Sequence, residues 1–351
     1  MAAPTPRDEL PNRMNLGLPF RSCSGPNCIV RENLLQCSGC KVVLYCGAAH
    51  QRADRPRHKT SCNIVKTTQE KLAQEEAALR ARPGDDEMGP DAFENAQAQF
   101  WFWRPTRPYM QARYDLMQAI LNIRTGEAVQ AALGHALGML QLSRGDNLGV
   151  RSQVPALYLR LGRDQEAYDF IKWYALVPSS YEWINPDLLY LDIHGEDAFE
   201  HFEDHAKRLV DVSFLASMTQ LKIRLLLDVM MLERYAKKPG NRNASFETKM
   251  EWVREDAISD VLYKRRDIVE RSDYTDLIAD LRDQVAKLVA CVNEVNEYYW
   301  PALQHPEKYS HSQPTIYTHG SPEEIILVFR HTWYSWAECA AALEIAKDVA
   351  K

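Results

Sequence analysis

Cysteine and histidine residues concentrate in one window of the chain, between residues 23 and 62. Six of the eight cysteines and two of the ten histidines lie there, in four short pairs: Cys23-x4-Cys28, Cys37-x2-Cys40, Cys46-x3-His50 and His58-x3-Cys62. Thiolates and imidazoles are ligands that zinc prefers, and structural zinc sites are closed four-coordinate tetrahedra. Eight such ligands predict two zinc ions with no open coordination position.

The spacing within the pairs suits a metal better than a disulfide framework. Gly39, between Cys37 and Cys40, permits a sharp turn that points both sulfurs inward. Residues four apart lie on one face of a helix, so each of the other two close pairs fits a short helix. Disulfides need an oxidising compartment, no hydrophobic signal segment opens the chain, and histidines have no role in them. We therefore expect zinc thiolates in the cytoplasm or the nucleus.

The second half of the window carries a more specific pattern, made of Tyr45-Cys46, His50-Gln51, Asp54 and His58-Lys59-x2-Cys62. Over residues 23–62 the chain resembles the MYND-type zinc finger. The resemblance implies two interleaved zinc sites, one held by Cys23, Cys28, Cys46 and His50 and the other by Cys37, Cys40, His58 and Cys62.

Three positions depart from the MYND pattern. The first cysteine pair is separated by four residues instead of two, and His50 stands where the family usually has cysteine. Arg55 stands where the family usually has a tryptophan that, with the glutamine matched here by Gln51, forms a groove for proline-rich peptides. We expect Gln51 and Arg55 to contact a protein or peptide partner. Arginine favours carboxylates, so an acidic or mixed proline-acidic ligand suits this surface better than an apolar one.

The charge distribution bears on other classes of partner. Arg52, Arg55, Arg57 and Lys59 give the end of the window a basic patch, but no aromatic residues alternate with them, and the whole chain carries a net charge of −6. We expect no nucleic acid and no membrane as partners. Binding to DNA through the basic face of the finger remains an alternative.

The rest of the chain predicts a mainly α protein, in which the small two-zinc finger is followed by a large all-α domain of helical hairpins. The predicted parts are a disordered segment 1–20, the finger 21–63, a charged helix and linker 64–90 that contains Pro83-Gly84, and a helical domain 91–351. Within the helical domain, the segment around Gly162 and Ala167 resembles one tetratricopeptide-type hairpin (TPR-like), with Gly162 at the turn.

Several helices are predicted in more detail. Residues 225–232 indicate a buried helix, and Ser321-Pro322 begins a final helix that runs to about residue 349. Apolar residues recur three and four apart over 278–299, which suits either packing within the domain or a coiled-coil dimer. Cys291 and Cys339 lie on these apolar helices and should be buried.

Residues 177–205 contain eight acidic side chains, several aromatic ones and no lysine or arginine. This segment could dock a basic partner, pack onto the finger of its own chain, or form a solvated loop. It includes His201 and His205, one helical turn apart, and His194. They could form a metal or acid/base site, although no His-Glu-x-x-His motif is present.

Together these features favour a non-enzymatic, zinc-binding adaptor for protein–protein interaction. Fungal and animal proteins that combine a MYND finger with a helical domain are similar to this chain. The alternative from another class is a relative of SET-type lysine methyltransferases, one family of which contains a MYND finger. The sequence after residue 62 shows helical patterns and no glycine-rich cofactor loop, which argues against that alternative.

Overall fold

The computed structural model describes residues 17–19, 21–309, 314 and 316–350. Most of the segment 1–20, predicted to be disordered, lies outside these residues. The described part of the chain is almost entirely helical. Its one sheet is an antiparallel hairpin in which Leu35–Gln36 pairs with Leu44–Tyr45. The helices are α1 Ala48–Arg80, α2 Ala92–Asn95, α3 Arg107–Leu121, α4 Gly126–Leu142, α5 Val154–Arg160, α6 Asp164–Leu176, α7 Glu203–Ala206, α8 Val212–Ala236, α9 Phe246–Asp256, α10 Arg266–Val269, α11 Thr275–Val295, α12 Tyr299–Gln304, α13 Pro322–Ala337 and α14 Ala340–Val349.

The predicted mainly α architecture is confirmed. No helix within the described ranges combines the length and the apolar character that a membrane crossing needs. The described residues fall into two compact units. The finger unit comprises Leu18–Leu157 and Pro178–Tyr190, and the α8 unit comprises Tyr158–Val177 and Leu191–Lys351.

Helix α1 is longer than the sequence suggested. Two short helical turns and a separate charged helix were expected, but residues 48–80 form one continuous helix of 33 residues. Pro56 lies inside it, and because proline has no N–H, one carbonyl in the preceding turn lacks its helical partner. Cys46 precedes the helix, so Cys46 and His50 do not share a helical turn.

In the finger unit, α1 packs along α3, and α3 packs against α4. Helix α3 buries one face, including Leu116, Met117 and Ile120. The expected linker at Pro83-Gly84 therefore does not separate two compact units, because α1 on one side of it packs against α3 on the other. The domain boundary at residue 90 remains a prediction about which fragments fold alone.

Helix α8 is the centre of the second unit and is packed by α6, α9, α11, α13 and α14. It is buried on nearly every side over residues 212–232, as predicted for 225–232. Its three buried charges all have partners. Lys222 donates to the carbonyls of Ala198 and Glu200, Arg224 pairs with Asp164 at 3.2 Å, and Asp228 accepts from residues 258 and 259.

Helix α11 packs against α8 within the same unit, so the apolar repeat over 278–299 is used for packing within the domain. The final helix begins as predicted, because the Ser321 side chain accepts from the Glu324 N–H and Pro322 follows at the first position. It does not run unbroken to residue 349. It stops at Ala337, and Glu338 then accepts two hydrogen bonds from Arg160, at 2.7 and 2.8 Å.

Two smaller predictions have mixed outcomes. Gly162 has φ +62° and forms the turn between α5 and α6, as expected for a helical hairpin. Its likeness to a tetratricopeptide repeat stays a prediction. Cys339 is buried, but it stands immediately before α14 instead of lying within a helix, and Cys291 in α11 is only half-buried.

Candidate metal centre

The hairpin, the loops on either side of it and the first turns of α1 bring the eight predicted ligands into two clusters. Within each cluster, the four donor atoms lie within 4.8 Å of one another. The first cluster contains Cys23, Cys28, Cys46 and His50, and the second contains Cys37, Cys40, His58 and Cys62. This is the interleaved grouping that the resemblance implied, and α1 supplies ligands to both clusters.

The distances between donor atoms fit zinc. A tetrahedral ion with Zn–S bonds of ~2.3 Å holds its sulfurs ~3.8 Å apart. In the first cluster the Cys28 and Cys46 Sγ atoms are 3.8 Å apart, and the His50 Nδ1 atom lies 3.1 Å from Cys46 Sγ. Each residue offers one ligand atom, so each cluster supplies four donors, which is the number that a closed structural zinc site uses.

The second cluster is the more enclosed one, because all four of its ligands are buried. The Sγ atoms of Cys37 and Cys62 are 3.6 Å apart, and the His58 Nε2 atom lies 3.4 Å from Cys40 Sγ. Cys37 also donates its backbone N–H to the Val43 carbonyl, at 2.8 Å, which fixes the loop that carries two of the ligands.

Two glycines allow the ligands to approach closely. A Cβ atom on Gly39 would lie 2.7 Å from the Cys62 Sγ, and one on Gly25 would lie 2.5 Å from the His50 Cβ. Neither glycine has a positive φ. The sequence identified Gly39 correctly, but its physical role is to leave room for a ligand from α1 instead of permitting a left-handed turn.

The thiols in these clusters need a cation to ionise together. Burial, and then neighbouring thiolates, raise the pKa of Cys40 to about 12. Burial also acts on Cys23, but hydrogen bonds from the N–H groups of Cys46 and Gly25 outweigh it and lower the pKa of that thiol to about 7. A divalent ion would hold all of these sulfurs as thiolates, and metal binding would release their protons.

Tyr45, Asp54 and Arg57 support the ligand-bearing turn of α1. The buried Tyr45 hydroxyl donates to Asp54 Oδ2 at 2.7 Å, and Arg57 Nε donates to Asp54 Oδ1 at 2.8 Å. Burial and the Asp54 charge raise the pKa of the phenol, so Tyr45 stays protonated and able to donate. The sequence singled out Tyr45 and Asp54 only through their family pattern.

The finger is also joined to α4, which sequence reasoning missed. The buried Thr125 hydroxyl donates to the Val42 carbonyl at 2.8 Å and accepts from the Ala128 N–H at 3.2 Å. The Gly126 N–H donates to the Pro19 carbonyl at 2.7 Å. Thr125 has an obvious sequence signal as a helix cap, but nothing in the sequence indicates a partner more than eighty residues away.

Gln51 and Arg55 lie four residues apart on α1, so they share one side of the helix. Gln51 is half-buried and Arg55 is exposed. Arg52, Arg55 and Lys59 recur three and four apart and are exposed, and none has an ion pair among the described residues. Arg57 pairs with Asp54, so the basic stripe consists of the other three side chains.

The histidines of the acidic segment do not form the site considered from the sequence. His201 precedes the short helix α7, so it does not share a helical turn with His205. It lies near Glu203 and Asp283 instead, on an exposed surface. Lys287 already pairs with both carboxylates, at 3.0 and 2.7 Å, which makes this cluster a network of ion pairs.

Comparison with known proteins agrees with the geometry of the clusters. Residues 22–62 match the family model of the MYND finger. Comparison with curated proteins and with solved structures gives no match. The family match covers the finger and does not extend into the helical remainder of the chain.

Proposed function

We propose that this protein is a non-enzymatic adaptor whose MYND finger binds a protein or peptide ligand. The observation that carries the proposal is the pair of closed Cys/His clusters beneath an exposed basic stripe. Four protein donors around each ion leave no position for a reactive water or substrate, so zinc would stabilise a surface instead of performing chemistry. MYND fingers as a class mediate protein–protein interaction, which agrees with this role.

The composition of the stripe favours an acidic ligand that contains proline. Arg52, Arg55 and Lys59 are exposed side chains without an ion pair in the described part of the chain. A guanidinium at position 55 recognises carboxylates through paired hydrogen bonds. Its apolar stem still offers some contact to a proline ring, but it lacks the flat face of a tryptophan.

The experiment is a titration of the zinc-loaded chain with two labelled peptides, one proline-rich and acidic, the other of the Pro-x-Leu-x-Pro type. We expect the native protein to prefer the acidic peptide. Arg55→Trp should strengthen binding of the Pro-x-Leu-x-Pro peptide by ~2 kcal/mol, about thirtyfold in affinity, because it restores an aromatic anchor. Lys59→Gln should lower the affinity for the acidic peptide only.

Lys66→Gln is the matched control, because Lys66 is an exposed α1 lysine beyond the finger that pairs with Glu70. It should leave both affinities unchanged. Tight binding of Pro-x-Leu-x-Pro by the native protein, unaffected by changes at Gln51 or Arg55, would show that the groove argument is wrong.

We also propose that the chain has no methyltransferase activity. A SET domain is rich in strands, whereas the described residues contain one hairpin of two-residue strands. Incubation with a labelled methyl donor and a histone or peptide library should give no transfer above background. Reproducible transfer that is lost on mutation would refute the non-enzymatic assignment.

A further inference from the structure

The acidic segment 177–205 divides into two parts with different surroundings. From residue 191 onwards its acidic side chains all have partners within the α8 unit. Asp192 accepts from the Trp173 indole, Glu196 and Glu200 pair with Lys172, Asp197 pairs with Arg265, Glu203 with Lys287, and Asp204 with Lys207. This part of the segment is an internal network of ion pairs.

Residues 178–190, which we call the acidic loop, belong to the finger unit. The Arg144 side chain forms hydrogen bonds with the backbone of this loop. The buried guanidinium donates to the carbonyls of Asn185, Pro186 and Leu188 at 2.8–3.1 Å, and to the Tyr181 hydroxyl at 3.1 Å. Gln99 adds a bond to the Ile184 carbonyl at 3.0 Å. These bonds fix the backbone of the loop, so binding to its outer side requires little ordering.

The outer side of the acidic loop combines exposed apolar side chains with carboxylates that lack a cation. Ile184 is 61% exposed and Leu189 is 73% exposed, and Leu188 beside it is 37% exposed. Glu182 and Asp187 have no ion pair among the described residues. Glu182 accepts only a hydrogen bond from the Asn185 side-chain amide, at 3.2 Å, so neither charge is neutralised by a cation in the described part of the chain. Exposed apolar side chains accompanied by polar groups are typical of a surface that binds another molecule.

We propose that the acidic loop is a second docking surface, which binds a basic segment of a partner protein that carries an apolar side chain beside Lys or Arg. Charge complementarity selects this occupant, because the acidic loop contains no lysine or arginine and carries Glu182 and Asp187 among its exposed apolar side chains. Ile184 and Leu189 provide the apolar contact. The inference extends the proposed adaptor function by giving the chain a binding surface distinct from the basic stripe.

The test uses the zinc-loaded full chain and three labelled synthetic peptides. The first alternates Lys or Arg with Leu, the second replaces each Leu by Ala, and the third replaces each basic residue by Glu. We expect measurable binding of the first peptide only, weakening as salt is raised. The double variant Ile184→Ser/Leu189→Ser should weaken it about tenfold or more. Glu182→Gln/Asp187→Asn should weaken it several-fold and reduce the salt dependence.

Matched controls come from exposed residues outside the loop. Asp204→Asn removes an exposed acid and Val210→Ser removes an apolar side chain that is 76% exposed. Both should bind the first peptide as the native chain does. Arg55→Gln should also leave this affinity unchanged, although it should lower the affinity of the finger for its acidic peptide. The two proposals can therefore fail separately.

Three results would overturn the inference. They are no binding of the first peptide, equal binding of the Glu-substituted peptide, and binding that the loop variants leave intact. Self-association of the native chain in sedimentation experiments, abolished by the loop variants, would identify a second copy as the occupant and would also refute the partner proposed here.

Discussion

Thr125 offers the sharpest test of how the finger depends on the helices beside it. Its hydroxyl caps α4 by accepting from the Ala128 N–H, and the same hydroxyl donates to the buried Val42 carbonyl, between the ligands Cys40 and Cys46. Thr125→Ala removes both bonds. Loss of a cap costs about 1 kcal/mol, and leaving a buried carbonyl without a donor costs about 1–3 kcal/mol. We expect the free energy of unfolding of the finger unit to fall by about 2–4 kcal/mol.

Two further substitutions separate the cap from the bond to the finger. Thr125→Ser keeps a hydroxyl that can make both bonds, so it should behave like the native chain. Thr125→Asp keeps a good cap acceptor but has no proton to donate to Val42. It should therefore lose only the bond to the finger, and place a carboxylate against a carbonyl oxygen.

The measurements are hydrogen exchange at the start of α4 and in residues 42–45, together with the rate of zinc release to a coloured chelator. Exchange reports each region separately, which matters because a chain with two compact units need not unfold in one step. Thr125→Ala and Thr125→Asp should both release zinc faster than the native chain. If Thr125→Asp matches the native chain in exchange and in zinc release, the bond to Val42 contributes nothing and the reasoning is refuted.

Further predictions concern zinc and the buried charges. The chain should bind two zinc ions, and Cys37→Ala should lose at least one of them; elemental analysis of freshly purified native protein that finds a single ion contradicts the paired clusters. Asp164→Asn should lower the free energy of unfolding of the α8 unit, measured by urea denaturation, by about 3–5 kcal/mol, because it leaves the fully buried Arg224 charge unpaired. The double variant Asp164→Leu/Arg224→Met should recover much of that loss. Burial raises the pKa of Asp228 from its ordinary 3.8 to about 6. A raised folded-state pKa means that this carboxyl opposes folding increasingly as pH rises from about 4 to above 6. Asp228→Asn should therefore gain stability relative to the native chain over that range, by up to about 3 kcal/mol, and a pH-independent difference in unfolding free energy would contradict this.

The zinc ligands could be predicted because metal chemistry restricts both residue type and spacing. Thiolates and imidazoles seldom recur in close pairs unless they bind a metal, so the eight ligands follow from the sequence. Their division into two sets came only through the resemblance to MYND fingers, since spacing alone allows other pairings. Helix caps such as Ser321 were equally predictable, because a cap is a contact between residues three apart.

Contacts between distant residues were not predictable in this way. Pro83-Gly84 correctly indicates an interruption of helix, but only the packing of α1 on α3 decides that both sides of it belong to one unit. The break at Glu338 likewise coincides with its bonds to Arg160, which lies 178 residues earlier. Local signals describe the backbone near a residue and say nothing of what the residue meets across the fold.

For this protein, the sequence by itself determined the identity of the metal ligands, the helical class and the position of several helix ends, because each depends on residue type and short spacing. Tertiary structure alone decided that Thr125 joins the finger to α4, and that Arg144 orders the acidic loop while the acids after residue 191 are paired internally. The physical reason is that hydrogen bonds and ion pairs depend on distance in space, which folding sets over separations that no short sequence pattern records.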